Sequence, residues 1–160
     1  MMTDPQKLIP LFERTYWIIK QQTKDLTHSD SVLQLPFRGN SMNWILGHVM
    51  ASRNNMLAVF GEPPALEAVQ ADRYQRDSEP VTHADDAVSF ETLLAAVDDS
   101  QKRIVTALKK ATVDDLAVIH NEEHNFTVGD RLEFLHWHET YHVGQLEILR
   151  QLAGTDDKII

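Results

Sequence analysis

Residues 127–154 read TVGDRLEFLHWHETYHVGQLEILRQLAG, and this stretch decides the fold. Thr127, followed three residues later by Asp130, matches the capping box that opens a helix, and Gly154 is typical of a helix C-terminus. Between these signals, apolar residues recur at helical spacing. The apolar positions are Leu132, Leu135, Leu146, Leu149 and Leu152. We therefore predict a helix from Thr127 to Gly154 with one buried face.

His138 and His142 fall in the middle of that apolar face. Residues four apart lie one turn apart on the same side of a helix, so both imidazoles can bind one metal ion. A polar group buried without a partner costs about 1 to 3 kcal/mol. Two histidines in place of core residues therefore need a shared function, and a metal ion supplies one.

Three further stretches carry apolar residues at helical spacing. The first begins after Asp4, a suitable N-cap, with Pro5 at the first helical position, and ends near Thr27. The second runs from residue 41 to 60 and the third from residue 89 to 110. The pattern predicts four helices in all.

Residues 61–87 contain proline and charge but little periodicity, and they are long for a connection between bundle helices. We interpret them as a crossover. Residues 112–126 contain a short apolar run between polar residues, which indicates a turn or a small hairpin. The chain has no internal repeat, and no part of it differs in composition from the rest, so we predict one all-α domain over residues 1–160. Its fold is predicted to be a four-helix bundle with a long crossover between helices 2 and 3.

The composition excludes several classes of function. The 160 residues carry a formal charge of −9, which argues against nucleic acid and anionic membranes as partners. The chain has no cysteine, so it has no disulfide, thiolate nucleophile or cysteine-based metal site. No apolar segment is long enough to span a bilayer, and the N-terminus does not resemble a secretory signal. We expect a cytoplasmic protein.

A catalytic type of zinc site takes three protein ligands and leaves one position open. The best third ligand is His48, which lies between Ile45 and Ser52 on the apolar side of the second helix. Taken alone, His48 is better explained as a core histidine bonded to a backbone carbonyl. Because His138 and His142 lie on the apolar face of the fourth helix, however, we favour a metal ligand. Bundle cores build metal sites from facing helices. We therefore predict a divalent metal site formed by His48, His138 and His142.

The remaining histidines are weaker candidates. His120 and His124 are also four apart, but they lie among polar residues without an apolar stripe, where solvated imidazoles cost nothing. No pattern distinguishes His28, His83 and His136.

Residues 138–142 also match the His-Glu-x-x-His motif of zinc metalloproteases, in which the glutamate is the general base. The extended protease motif needs glycine and histidine where this chain has Gln145 and Ile148. The shorter motif needs an acidic ligand on a following helix, whereas Glu147 lies on the same helix. We therefore reject proteolysis.

Glu139 is rotated about 100° from His138 around the helix. We expect it to be a solvated residue on the helix flank, the alternative being a hydrogen-bond partner of a ligand imidazole. Helical spacing places four further side chains near the predicted ligands, where they can line a pocket: Trp44, Ser52, Tyr141 and Gln145.

Three segments of the chain resemble the DinB-like (DinB/YfiT-like) superfamily of metal-dependent bundle proteins: residues 40–48, 135–146 and 149–154. The resemblance implies a four-helix bundle with a crossed connection and, frequently, a homodimer. It implies that His48, His138 and His142 hold a divalent metal. Some members of the superfamily are S-transferases that use a low-molecular-weight thiol such as bacillithiol or mycothiol, and some mycothiol-using members are isomerases.

We therefore expect a metal-dependent enzyme that acts on a small molecule, with a thiol S-transferase ahead of a hydrolase. The rival interpretation is a non-catalytic protein that binds a metal or another ligand. Imidazole suits zinc, nickel, copper and iron, and among these we expect zinc or nickel. A thiol would have to come from a cofactor, because the chain has none of its own. In a homodimer, Trp17 and Trp137 are aromatic residues expected outside the core.

Overall fold

The computed structural model describes residues 3–159. Over this range the chain is mostly helical, with a small two-stranded sheet. Its helices are α1 (Pro5–Thr23), α2 (His28–Ser31), α3 (Met42–Val59), α4 (Ala68–Ala71), α5 (Phe90–Lys110), α6 (Val113–Leu116), α7 (Val128–Val143) and α8 (Leu146–Leu152). The strands are β1 (Ile119–Asn121) and β2 (Phe126–Thr127), and short 3-10 turns span Asp72–Tyr74 and Ala84–Asp86. None of these helices is long and apolar enough to cross a membrane.

The four long helices start where the sequence predicts. Each begins after a side chain that accepts a hydrogen bond from a backbone N–H of the first turn. These N-caps are Asp4, Ser41, Ser89 and Thr127. At the last of them the bond is reciprocal, because the Asp130 carboxylate also accepts from the backbone N–H of Thr127.

The long helices bury their apolar faces on one another. Both α1 and α3 pack against both α5 and α7. The core divides into two clusters, one around Tyr74 and the other around Phe12. Helices α3 and α5 both run from the first cluster to the second.

Helix α3 is the most deeply buried element. Every residue from Met42 to Arg53 is buried, although the sequence shows a stripe along one side only. The connection after α3 covers its remaining side. Tyr74, from this connection, lies so close to α3 that a Cβ added at Gly47 would be 2.3 Å from its ring.

One predicted helix end and the continuity of one predicted helix are wrong. The first helix ends at Thr23 rather than near Thr27, because Thr27 is instead the N-cap of α2, in a capping box with Asp30. The fourth helix is interrupted, with α7 ending at Val143 and α8 beginning at Leu146. Its sequence pattern continues across the break because the residues at the break keep right-handed helical backbone angles.

Between a turn and a small hairpin, the two structures that the sequence allows for residues 112–126, the structure has a hairpin, which extends to Thr127. After the single turn of α6, β1 pairs with β2 in an antiparallel ladder, with Ile119 opposite Thr127. The hairpin therefore leads directly into the N-cap of α7.

Candidate metal centre

Three histidine side chains converge between α3 and α7. The Nε2 atom of His138 lies 3.2 Å from the Nε2 atoms of both His48 and His142. A tetrahedral ion with bonds of 2.0–2.1 Å places its ligand nitrogens about 3.3 Å apart, so this spacing fits one ion. Within residues 3–159 it is the one group of three or more His, Asp or Glu side chains with such close ligand atoms. The structure thus brings together the three residues that the sequence singles out.

The other ring nitrogens of two of these histidines are anchored by oxygen atoms. His48 Nδ1 lies 2.7 Å from the carbonyl oxygen of Tyr74, and His142 Nδ1 lies 2.8 Å from Oε1 of Gln145. A carbonyl or amide oxygen only accepts hydrogen bonds, so both Nδ1 atoms carry the proton. Each Nε2 atom is then left with a free lone pair, as a metal ligand requires.

His138 has a comparable anchor, since its Nδ1 atom lies 3.2 Å from the Ser52 hydroxyl oxygen. With the hydroxyl accepting, Nδ1 of His138 donates and its Nε2 atom also presents a lone pair. With all three rings in this tautomer, three Nε2 lone pairs lie within 4.8 Å of one another, and they repel one another unless a cation lies between them. The donor set therefore fits a dication that prefers nitrogen ligands.

Burial favours the neutral form of two of these imidazoles, His138 and His142, by lowering the pKa of each. Loss of solvent lowers the pKa of His142 to about 4. Burial, followed by the nearby His48, also lowers the pKa of His138. Because a protonated imidazole cannot bind a metal, both shifts favour the ligand form.

An open cavity of about 730 Å³ lies beside the three histidines. This volume falls in the range of small-molecule sites. Four aromatic side chains line it: Trp44, Phe134, Trp137 and Tyr141. Trp44 stacks on the His48 ring at a centroid distance of 4.8 Å, and its indole N–H donates to the Ser78 hydroxyl. All four residues that helical spacing placed near the ligands lie beside the cluster, with Ser52 reaching it by the contact already described.

The position of Glu139 differs from both roles that the sequence suggests, a solvated residue and a hydrogen-bond partner of a ligand imidazole. Glu139 is fully buried rather than solvated, and it binds Arg53 rather than a ligand imidazole. The Arg53 guanidinium donates from Nε and Nη2 to the two carboxylate oxygens, each at 2.8 Å, and the Thr15 hydroxyl donates to the same carboxylate. Burial alone raises the pKa of Glu139, but Arg53 and Thr15 outweigh it and hold that pKa below its usual value.

Sequence reasoning missed Arg53 and Tyr74. A signal for Arg53 exists, because it is the single charged residue among the 18 residues of α3. No side-chain signal marks Tyr74, since the group that anchors His48 is its backbone carbonyl.

The other histidines lie apart from the cluster. His120 and His124 are exposed in the hairpin, as expected for solvated imidazoles. His28 has a structural role, because its Nδ1 atom accepts from the backbone N–H of Phe90 and its Nε2 atom donates to the carbonyl of Ala84.

Comparison with known proteins identifies the family. The sequence model of the DinB superfamily matches residues 12–146. The fold is similar to the crystal structure of a conserved protein from Enterococcus faecalis, with a TM-score of 0.71 at 16% identity, covering 97% of this chain and 100% of that one. No curated protein matches the chain. With the family model covering most of its length, the chain belongs to the DinB superfamily.

Proposed function

We propose that the protein is a metal-dependent S-transferase that joins a low-molecular-weight thiol to an electrophilic small molecule. His48, His138 and His142 hold the divalent metal in this proposal. The observation that carries it is the convergence of three Nε2 atoms beside an open cavity. A dication held by three neutral imidazoles acts as a Lewis acid that favours deprotonation of a bound thiol or water.

The chain's own residues prepare this site. Tyr74 and Gln145 fix the rings of His48 and His142 through their Nδ1 protons, which sets the direction of each lone pair. The aromatic side chains beside the histidines exclude water from part of the cavity and offer an apolar surface to a substrate.

The size of the cavity favours thiol transfer over hydrolysis, because a volume of about 730 Å³ has room for two small reactants. Since the chain has no cysteine, the sulfur nucleophile would enter as one of these two molecules. In the reaction, sulfur bonds to the electrophilic carbon and the leaving group departs with its electron pair. The thiol proton passes to solvent through the open side of the cavity.

Elemental analysis of untagged protein tests the metal site. We expect about one equivalent of zinc or nickel in the wild type. His48→Ala, His138→Ala and His142→Ala should each abolish stoichiometric metal, because two imidazoles rarely retain a catalytic ion. His120→Ala is the matched control and should retain it. Full metal content in all three ligand variants would contradict the site.

The reaction is tested with monochlorobimane and a panel of bacterial thiols. We expect metal-dependent acceleration with at least one thiol and loss of this acceleration in His138→Ala. Metal-dependent hydrolysis of ester substrates, with no acceleration by any thiol, would overturn the transferase and favour the hydrolase. Bound metal without turnover of either kind would favour a binding protein.

We also propose a four-helix bundle with the crossover between α3 and α5, assembled as a homodimer. The pairing of α1 and α3 with both α5 and α7 supports the bundle. The exposure of Trp17 supports an aromatic interface, whereas the exposed Trp137 lines the cavity. Sedimentation velocity at micromolar concentration tests the dimer. A single species of 18.3 kDa would contradict it.

A further inference from the structure

Two arginine side chains line the same cavity as the three histidines. Arg38 and Arg76 are both exposed there. Asp77 lies 3.7 Å from Arg76, but their side chains are 89% and 91% exposed, and such a pair contributes little. Among residues 3–159, no side chain forms an ion pair or hydrogen bond with Arg38. The cavity therefore presents two guanidinium groups that are available to a ligand.

The charge around the cavity is opposite in sign to the charge of the chain. The molecule carries −9 overall, whereas the charged residues that line the cavity are two arginines and Asp77, which sum to +1. A dication at the histidines would increase this local positive charge. Such a local field attracts an anion that the rest of the surface repels.

The uncharged polar groups of the cavity add donors. Oε1 of Gln145 already accepts from His142, so the amide NH₂ of Gln145 remains available to a ligand. The half-buried side chain of Asn40 also lines the cavity and carries an amide NH₂. Donors of this kind complement the oxygen atoms of a carboxylate.

The wall of the cavity suits an apolar ligand body. Phe134, Trp137 and Tyr141 follow one another at spacings of three and four residues on α7, so they form one stripe. They are 45%, 62% and 61% exposed, an unusual exposure for large aromatic side chains. The stripe runs beside His138 and His142 on the same helix.

We propose that the site takes an anionic small molecule whose carboxylate is bound by Arg38 and Arg76. Its apolar body lies along the aromatic stripe, and its opposite end reaches the three histidines. The inference rests on the proposed function, because it takes the histidine cluster to hold a metal with an open position. Guanidinium groups bind carboxylates through paired hydrogen bonds, which gives the site its preference.

Three thiols of equal length but different charge test this inference on Co²⁺-loaded protein: 6-mercaptohexanoate, 6-mercaptohexan-1-ol and 6-aminohexane-1-thiol. The cobalt–thiolate absorption band reports binding without any need for turnover. We expect the carboxylate to bind about five- to tenfold more tightly than the alcohol, and the amine to bind most weakly. The preference should decrease as salt is raised.

Arginine variants locate the source of this preference. Arg38→Ala and Arg76→Ala should each reduce it about two- to threefold, and the double variant should remove it. Affinity for the alcohol and Co²⁺ stoichiometry should not change. Arg14→Ala, which removes an exposed arginine of α1, is the matched control and should preserve the preference.

The possible failures are distinguishable. Equal affinity for the three thiols on Co²⁺-loaded protein would overturn the anionic substrate and leave the metal site intact. Failure to bind Co²⁺ would contradict the proposed function. In that case, metal-free protein is titrated with hexanoate and with hexan-1-ol, and the change in Trp44 and Trp137 fluorescence is followed. The two affinities give the preference for the carboxylate over the alcohol. Equal affinities would overturn the inference there as well.

Discussion

Arg53 and Glu139 each follow a residue that belongs to the histidine cluster or contacts it. Arg53 follows Ser52, which contacts His138, and Glu139 follows His138 itself. Their bidentate pair joins α3 to α7 at this level, with both side chains fully buried. Removing two charges from water is costly, so such a pair adds little net stability over two apolar side chains. We expect its main role to be to fix the relative position of the two helices.

Removal of one partner should be strongly destabilising. Glu139→Gln leaves the Arg53 guanidinium buried without its counter-charge, and we expect a loss of about 3 to 5 kcal/mol in the free energy of unfolding. Urea denaturation of metal-free protein at pH 7 measures this loss. Glu147→Gln, an exposed glutamate of α8, is the control and should change stability by less than about 0.5 kcal/mol.

A double variant tests whether the ion pair positions the histidine cluster independently of its effect on the stability of the fold. Arg53→Met with Glu139→Leu removes both charges and should regain most of the lost stability. If the ion pair positions the cluster, metal affinity in this double variant stays below that of the wild type. Wild-type affinity together with wild-type stability would contradict a positioning role.

At the scale of elements, the connection between α3 and α5 supports the site. Tyr74 is fully buried, its hydroxyl donates to Asn43, and its backbone carbonyl accepts from His48. Gly47 lies directly beneath the Tyr74 ring, since any Cβ there would overlap it. The glycine therefore allows the connection to approach α3 closely enough to anchor a cluster histidine.

Gly47→Ala should weaken both stability and metal binding. The ring of Tyr74 cannot move easily because its hydroxyl is also bound by the backbone N–H of Val88, so we expect a cost of about 1 to 3 kcal/mol. Displacement of Tyr74 should also lower metal affinity by loosening His48. Gly144→Ala is the control, since the nearest atom to its added Cβ lies 3.6 Å away. Unchanged thermal stability and metal affinity in Gly47→Ala would contradict this role.

The N-terminus of α7 gives a pH-dependent prediction. The backbone N–H of Thr127, followed by its hydroxyl, donates to Asp130 and lowers the pKa of that carboxyl below its usual 3.8. A lowered folded-state pKa stabilises the protein above the unfolded pKa, and the stabilisation is lost as the pH falls through the folded value. We expect the stability difference between wild type and Asp130→Asn to be full at pH 6 and to shrink as the pH falls below 3.8. A difference that does not depend on pH in urea denaturation would contradict this.

At the scale of the whole molecule, the size of the core predicts that the chain folds without a metal. Two apolar clusters extend over the long helices, and the histidines lie at the edge of one of them. A chain of 160 residues buries enough surface to fold without a structural ion. A metal at the three histidines is therefore expected to bind a ligand rather than to hold the fold together.

Metal removal should lower thermal stability without unfolding the protein. An ion that binds only the folded state adds about 2.7 kcal/mol when its free concentration is one hundred times its Kd. We expect chelation to reduce Tm by several degrees while the helical circular dichroism at 25 °C is retained. Loss of that signal on chelation would indicate a structural ion instead. His120→Ala should show the same metal-dependent shift as the wild type.

The sequence by itself determined the four long helices, their capped starts and the histidines on their apolar faces, because these depend on local spacing along the chain. Only the tertiary structure decided that Glu139 is buried against Arg53 and that Tyr74 anchors His48. Those contacts join residues 86 and 26 positions apart. They depend on how α7 and the connection pack against α3, and spacing within one helix carries no information about that packing.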